Sequence, residues 1–223
     1  MKNHQLKNID PEDIEDLLVK VEKSFNIKFK GRELADVKNF GEMCDHIANK
    51  IKLDNLNDCT SQQAFYKLRD AISAELNIER STITSQQKLS IIFPRNNRRS
   101  YLKRVEVKLG FQLNVLTPPS WQTLTLLSIF ILSLIGFFFS WKLAISGITF
   151  SLLGFWLSDK AANEIGLETM EQLVKKVTTE NYLKSRRNPK SFNKIEIEKI
   201  LINWFSTEFD VDKRLLTRDA KIV

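Results

Sequence analysis

Hydrophobic and polar positions follow a helical period over most of this chain, and then polar charge disappears altogether in one stretch near the middle. Leu17, Leu18, Val21 and Phe25 recur at the three- and four-residue spacing that lines one face of a helix, as do Leu102, Val105 and Leu109. Residues 65–76 and 195–209 read as two further helices, with Asn77 and Asp210 suited to end them and begin a turn. Short helices opened by a polar cap are predicted at 39–47, with Met43, His46 and Ile47 inward, and at 169–177, with Leu173 and Val177 inward. The expected fold class is all-α.

The uncharged stretch changes the kind of protein expected. Residues 109–141 contain no Asp, Glu, Lys or Arg. Residues 121–140 would form a helix of about 30 Å, the thickness of a bilayer's hydrocarbon core. Residues 143–158 would reach only about 24 Å, short for a span unless Trp141 and Trp156 anchor it at the interfaces. Trp141 and Lys142 separate the two runs, so a sharp turn is expected there, giving a two-helix transmembrane hairpin over 121–158. Ser133, Gly136 and Ser140 share a face of the first helix, and Ala144, Gly147, Ser151 and Gly154 a face of the second, small enough for the backbones to approach closely. The first forty residues lack the apolar run of a cleavable leader, so the internal spans are expected to direct insertion.

Charge sets the orientation. The formal net charge of +7 is uneven, −2 over residues 1–60 and +6 over 61–120. Arg95, Arg98, Arg99, Lys103, Arg104 and Lys108 precede the hairpin, Lys160 follows it, and Lys142 stands by itself in the turn. An excess of Lys and Arg on one side predicts a multi-pass protein of the inner or cytoplasmic membrane with both termini cytoplasmic. Basic charge concentrated beside an apolar run is not the spread surface of a nucleic-acid-binding domain, and no nucleic-acid partner is expected. The six basic residues are the candidate lipid- or partner-binding set, against the plainer reading that they only fix topology.

Three pairs of segments repeat along the chain. Residues 14–29 (IEDLLVKVEKSFNIKF) match 100–115 (SYLKRVEVKLGFQLNV) at a shift of 86, and 75–84 (ELNIERSTIT) match 208–217 (EFDVDKRLLT) at a shift of 133. Residues 39–47 (NFGEMCDHI) match 169–177 (TMEQLVKKV). The order of a helix, a loop ending in Thr, a second helix running into SFNIKF, and a short helix opening NFGEMCDHI resembles the acyl carrier protein family. The resemblance implies small helical bundles, with helices II and III in 1–57, I and II in 58–120, the hairpin inserted at 121–158, helix III and a linker in 159–189, and helix I in 190–223. It further implies that 195–223 packs on 14–51, within one chain or exchanged between two.

The same resemblance locates the residue that decides chemistry. Carrier proteins attach phosphopantetheine to a serine at the start of helix II, in an Asp-Ser-Leu motif. Counting back from Phe25 puts Pro11 there, after Asp10, and counting back from Phe111 puts Asn97 there, after Asn96. Neither side chain can carry a phosphodiester, so no cofactor is expected. Ser100 lies one turn further on, but between Arg99 and Tyr101. Asp10 reads as a cap before Pro11, with Glu12 and Asp13 favoured by the helix dipole, and the alternative reading makes Glu12, Asp13, Glu15 and Asp16 a docking patch for a basic partner. Cys44 and Cys59 form no CxxC pair and no metal-ligand spacing with His4 or His46, so buried thiols and no metal are expected. No phosphate loop, GxSxG or HExxH is present, and no catalytic residue is assigned.

The function these features imply is a noncatalytic adaptor or scaffold on the cytoplasmic membrane face. Its expected partners are membrane lipid and an acidic acyl carrier protein or lipid-synthesis enzyme, with homo-oligomerisation left open. The alternatives are a working acyl carrier modified at an atypical serine, and a channel or transporter of oligomerised hairpins. The last is disfavoured because neither span places a charge inside the membrane.

Overall fold

In a computed structural model the described residues are 11–30, 33–34 and 37–221. The side chains of 11–13 and 15, and with them the surroundings of Pro11 and all of the expected acidic patch but the exposed Asp16, lie outside the described residues, as do His4 and Asp10. Helices α1 (Pro11–Phe25), α2 (Phe40–Lys50), α3 (Thr60–Leu76), α4 (Leu89–Ile92), α5 (Arg98–Leu109), α6 (Ser120–Gly136), α7 (Trp141–Lys160), α8 (Met170–Glu180), α9 (Tyr182–Ser185) and α10 (Lys194–Glu208) follow in chain order. Four two-residue strands accompany them: β1 (Asp54–Asn55), β2 (Leu116–Thr117), β3 (Glu164–Ile165) and β4 (Ser191–Phe192). The fold is mainly helical. It divides into two compact units, Met1–Asp70 with Val174–Val223, and Ala71–Leu173.

The first unit is built from both ends of the chain. Leu17, Val21 and Phe25, four residues apart on α1, are buried against Phe40 and Ile47 of α2 and Ile197, Leu201 and Phe205 of α10. Each such side chain, fully buried, contributes about 1.5–3 kcal/mol relative to exposure, which is why these amphipathic faces find each other. Phe40 meets the Phe205 ring edge-on at 5.2 Å, and Phe25 meets Tyr182 likewise at 5.4 Å. The start of α2 is set by Asn39, whose side chain accepts the Glu42 N–H at 2.8 Å, and that of α10 by Asn193, which accepts from Ile195 at 3.0 Å. Parallel β1 and β4 pair Asp54 with Ser191.

The second unit repeats the devices of the first in a different chain order. After α1, Asn26 turns the chain at φ 51°, and the Glu22 carboxylate accepts the Phe29 N–H at 2.6 Å. After α5, Gly110 does so at φ 76°, and Glu106 accepts from Leu113 at 2.7 Å. Asp210 after α10 and Asn77 after α3 both sit at positive φ, and each leads into a 3-10 turn, Lys213–Leu215 and Arg80–Thr82. Leu216 and Ile83 follow these turns and are both buried. The helices α2 and α8 then dock on the following loops by matching bonds, Phe40 N–H to Ala220 O and Gly41 N–H to Arg218 O in one unit, Met170 N–H to Gln87 O and Glu171 N–H to Ser85 O in the other. The same devices thus occur in the helix order α3, α5, α8 and in the order α1, α2, α10, and the boundaries of the two units fall within α3 and α8.

These bonds correct the repeat's register. The paired helix ends and Glu acceptors relate α1 to α5 by 84 residues, not 86. Matching Phe25 to Phe111 by aromatic character misplaced the helix end, which is fixed by the residue able to take positive φ. In the corrected register Pro11 corresponds to Arg95, while Asn97 is the residue that precedes α5.

Between α5 and α8, α6 and α7 pack antiparallel, with β2 and β3 pairing where the chain enters and leaves. A Cβ at Gly147 would fall 2.0 Å from Ser133 Oγ, and one at Gly154 would fall 2.5 Å from a Leu126 methyl, so these glycines permit the contact. Ala144 and Ser151 are buried in the same seam. Two expectations change. The turn is made by Phe137, Phe138, Phe139 and Ser140, because α6 stops at Gly136 and α7 takes in Trp141 and Lys142. The longer helix is therefore the second: α7, at 20 residues, is long and apolar enough to cross a membrane by length and composition, whereas α6 has 17.

Candidate functional site

α5 carries the candidate basic residues because its inner face is apolar and its outer face is not. Leu102, Val105 and Leu109 are buried, and Arg99, Lys103, Arg104 and Lys108 are exposed. Arg98 departs from the expectation. Its side chain is 7% exposed, its Nε donates to Phe93 O at 3.0 Å, and its Nη1 donates to Asn163 O and lies 3.5 Å from the Glu164 carboxylate. Arg98 is withdrawn from any ligand because it satisfies the carbonyls that join α5 to the chain leaving α7.

The remaining five divide by what they touch. Arg95 pairs with Glu164 at 2.7 Å, and Asn163 Nδ2 donates to Arg95 O at 3.1 Å. Arg99 Nη2 donates to Lys160 O at 2.5 Å, placing a cation on the carbonyl end of α7, where the helix dipole is negative. Arg104 lies 3.5 Å from the Glu75 carboxylate. Lys103 and Lys108, with Ser100, Val107, Arg104 and Glu75, line a shallow groove of about 470 Å³. The six residues are therefore brought together within unit two at the end of the hairpin where its helices begin and finish, but only Arg99, Lys103 and Lys108 keep a cationic face unmatched by a nearby carboxylate among the described residues.

The hairpin itself is the other half of the site. Trp121, Leu124, Leu132, Leu143, Phe150 and Trp156 are all more than half exposed, and Phe138 and Phe139 at the turn are 90% and 88% exposed. Lys160 Nζ lies 3.6 Å from the centre of the Trp156 ring, so a cation and an aromatic share the level at which α7 ends.

Sequence reasoning missed Arg186. It lies in an Arg-Arg-Asn-Pro-Lys run that reads as a solvated loop, yet its side chain is fully buried in unit one. It bonds Asp58, Thr60, Tyr182 at 3.3 Å and Ser191 at 3.2 Å, with Glu196 at 3.7 Å. Burial pushes the Tyr182 hydroxyl up to about 12, so it serves as a neutral donor to Glu196 at 3.0 Å. Every guanidinium nitrogen is engaged inward, which makes this a tie rather than a binding site. Cys44 is buried as expected, and burial raises its thiol to about 12; Cys59 is exposed, contrary to expectation, because it precedes α3 on the surface. His46 stacks on Phe29 and meets Glu33 at 3.1 Å. Among the described residues no group of His, Cys, Asp and Glu is arranged to hold a metal ion.

No protein-family model, curated protein or solved structure matches this chain.

Proposed function

We propose that this chain is a noncatalytic membrane adaptor. α6 and α7 lodge in the cytoplasmic membrane as a hairpin, both chain ends stay on the cytoplasmic side, and the outer face of α5 meets anionic lipid headgroups. The observation that carries the reading is the combination at the hairpin: apolar side chains exposed around two packed helices, with Arg99, Lys103, Lys108 and Lys160 gathered at one end. An exposed apolar surface of this extent is costly in water and marks a lipid or protein contact. Helices of 17 and 20 residues reach about 26–30 Å, the thickness of a hydrocarbon core. Trp121 and Trp156 toward one end and Phe138, Phe139 and Trp141 at the turn form the two aromatic levels that flank such a core.

The resemblance to acyl carrier proteins supports a partner in lipid or acyl metabolism, approached without a prosthetic arm because Pro11 and, in the corrected register, Arg95 stand at the attachment positions. The rival reading, a working carrier, has one observation in its favour: Ser100 is exposed in the α5 groove. Incubation with a phosphopantetheinyl transferase is expected to leave the intact mass unchanged, and a gain of the arm's mass would select the rival.

Flotation on vesicles tests the membrane reading. The chain is expected to float with phosphatidylcholine and resist carbonate extraction, and to bind more tightly when phosphatidylserine is included. Replacing Arg99, Lys103 and Lys108 by Gln should remove most of that anionic gain, about 1 kcal/mol per residue, while leaving carbonate resistance intact. A chain that stays monomeric in a high-speed supernatant without detergent sinks the reading.

A further inference from the structure

A second groove, in unit one, has a different character from the α5 groove and no role in the reading above. It encloses about 570 Å³ between the turn after α1, the segment after α2 and the loop before β4. Its floor is apolar, Ile27, Ile51 and Leu53 with Leu183 and Pro189, and its rim holds Lys28, Lys50, Lys52 and Lys190. Intramolecular carboxylates answer two of the four lysines: Lys28 pairs with Glu22 at 2.8 Å and Lys50 with Glu33 at 2.5 Å. Lys52 and Lys190 are exposed and have no carboxylate partner among the described residues.

We infer that this groove docks a linear acidic segment of a second protein, in which carboxylates flank one or two large apolar side chains. The rim supplies the argument for charge: Lys52 and Lys190, on adjoining segments joined by the Asp54 N–H to Lys190 O bond, put two unanswered cations beside the apolar floor, so a segment that brings Asp or Glu beside Leu or Phe gains on both counts, and a basic or neutral one does not. The shape supplies the argument for a polypeptide. A small amphiphile needs a cavity that covers most of its surface, whereas this groove is broadly open to solvent and suits a chain laid across it. The segments that line it beyond α1 and α2 are fixed by bonds within the unit, Phe29 N–H to Glu22 and Asp54 N–H to Lys190 O, so the groove is formed before a partner arrives. This names the partner chemistry of the adaptor reading, yet it does not depend on the hairpin entering a bilayer.

The test uses the full chain in phosphatidylcholine nanodiscs and a short fluorescein-labelled peptide of glutamates interrupted by two leucines, read by anisotropy. Binding is expected, and peptides with the glutamates changed to glutamine or the leucines to serine should each bind about tenfold more weakly or worse. The pair Lys52→Glu and Lys190→Glu should weaken the acidic peptide by at least about tenfold. Should that pair unfold the unit by circular dichroism, Lys52→Gln with Lys190→Gln serves in its place and should give a smaller loss in the same direction. Absence of binding, binding blind to the peptide's charge, or binding unchanged by the lysine variants overturns the inference. Phosphatidylserine vesicles whose binding is lost with the same two lysines would assign the groove to a membrane instead, and also overturn it. Failure here leaves the flotation result untouched, so the two readings fall separately.

Discussion

Unit one and unit two share their helix ends, their 3-10 turns and their loop docking, but they differ in what lies between α1 and α2 in one and between α5 and α8 in the other. In unit one Phe29 and Asn39 are ten positions apart in sequence; in unit two the corresponding interval, from Leu113 to Thr169, holds α6 and α7. The insertion does not disturb its host because β2 and β3 bring its two ends side by side, and a loop whose ends are already close accepts added length at small entropic cost. The apolar hairpin is thus an addition to a small helical module rather than part of its core. The buried arginines differ in the same sense. Arg98 in unit two closes the joint at the insertion, whereas Arg186 in unit one ties together segments from opposite ends of the chain.

That last contrast gives the largest expected effect. Arg186→Leu leaves the Glu196 carboxylate in a mostly buried position without its cation, and removing one partner of such a pair costs about 3–5 kcal/mol. Arg98→Leu removes the donor for two backbone carbonyls and one distant carboxylate, at about 1–3 kcal/mol. Hydrogen exchange resolved by unit should show lost protection confined to unit one for the first variant and to unit two for the second. Equal losses in both units from Arg186→Leu would mean that the units do not unfold separately.

The permuted repeat is broken or sharpened by a matched pair. Ile83→Ala and Leu216→Ala truncate corresponding side chains, 2% and 3% exposed, and each should cost about 2–4 kcal/mol in its own unit. Denaturant unfolding followed by unit-resolved exchange checks this. A cost that differs by more than about 2 kcal/mol between them would show that the corresponding positions are not packed alike.

The hairpin seam comes next. A Cβ at Gly136 would lie 4.0 Å from that of Ala144, within the range of a disulfide, so the pair Gly136→Cys and Ala144→Cys should oxidise readily in membranes. Gly147→Leu puts a side chain where Ser133 Oγ stands, which should cost about 1–3 kcal/mol of packing and suppress that crosslink. Crosslinking undiminished by Gly147→Leu would deny the close approach.

Periodicity made the helices legible, and polar residues made their ends legible: Asn77 and Asp210 stand at positive φ where the sequence placed a turn, and Asn39 accepts the bond expected of a cap. The register of the first repeat was not legible, since Phe25 and Phe111 look alike while the helix end follows Asn26 and Gly110. The hairpin's turn was misplaced for a related reason. Hydropathy does not distinguish Phe137–Phe139 from the helix before them, and only the backbone beyond Gly136 shows that α6 has ended. Of the basic set, Arg98 and Lys103 are alike in sequence, and only burial separates a tie from a surface. Arg186 gave no signal because its partners, Asp58, Thr60 and Glu196, come from distant segments.

Acid should act on unit one through a smaller effect whose sign is fixed. The Glu33 carboxylate accepts from Lys50 Nζ at 2.5 Å and from the Lys30 N–H at 2.9 Å, with His46 at 3.1 Å, and these bonds, Lys50's above all, lower it from 4.5 to about 2. A group depressed in the folded state adds stability that is fully present above its unfolded value and is lost as pH falls through the folded one. The contribution therefore stands above pH 4.5 and disappears toward pH 2. Glu33→Gln should lower the melting temperature of unit one at pH 6 and flatten its fall over that window, so that the wild-type and variant curves converge near pH 2. Because Glu33 is about a quarter exposed, solvent screens the bonds and the shift should be the smallest of those proposed. Curves that stay parallel down to pH 2 would show that the Lys50 contact does not hold this carboxylate charged in solution.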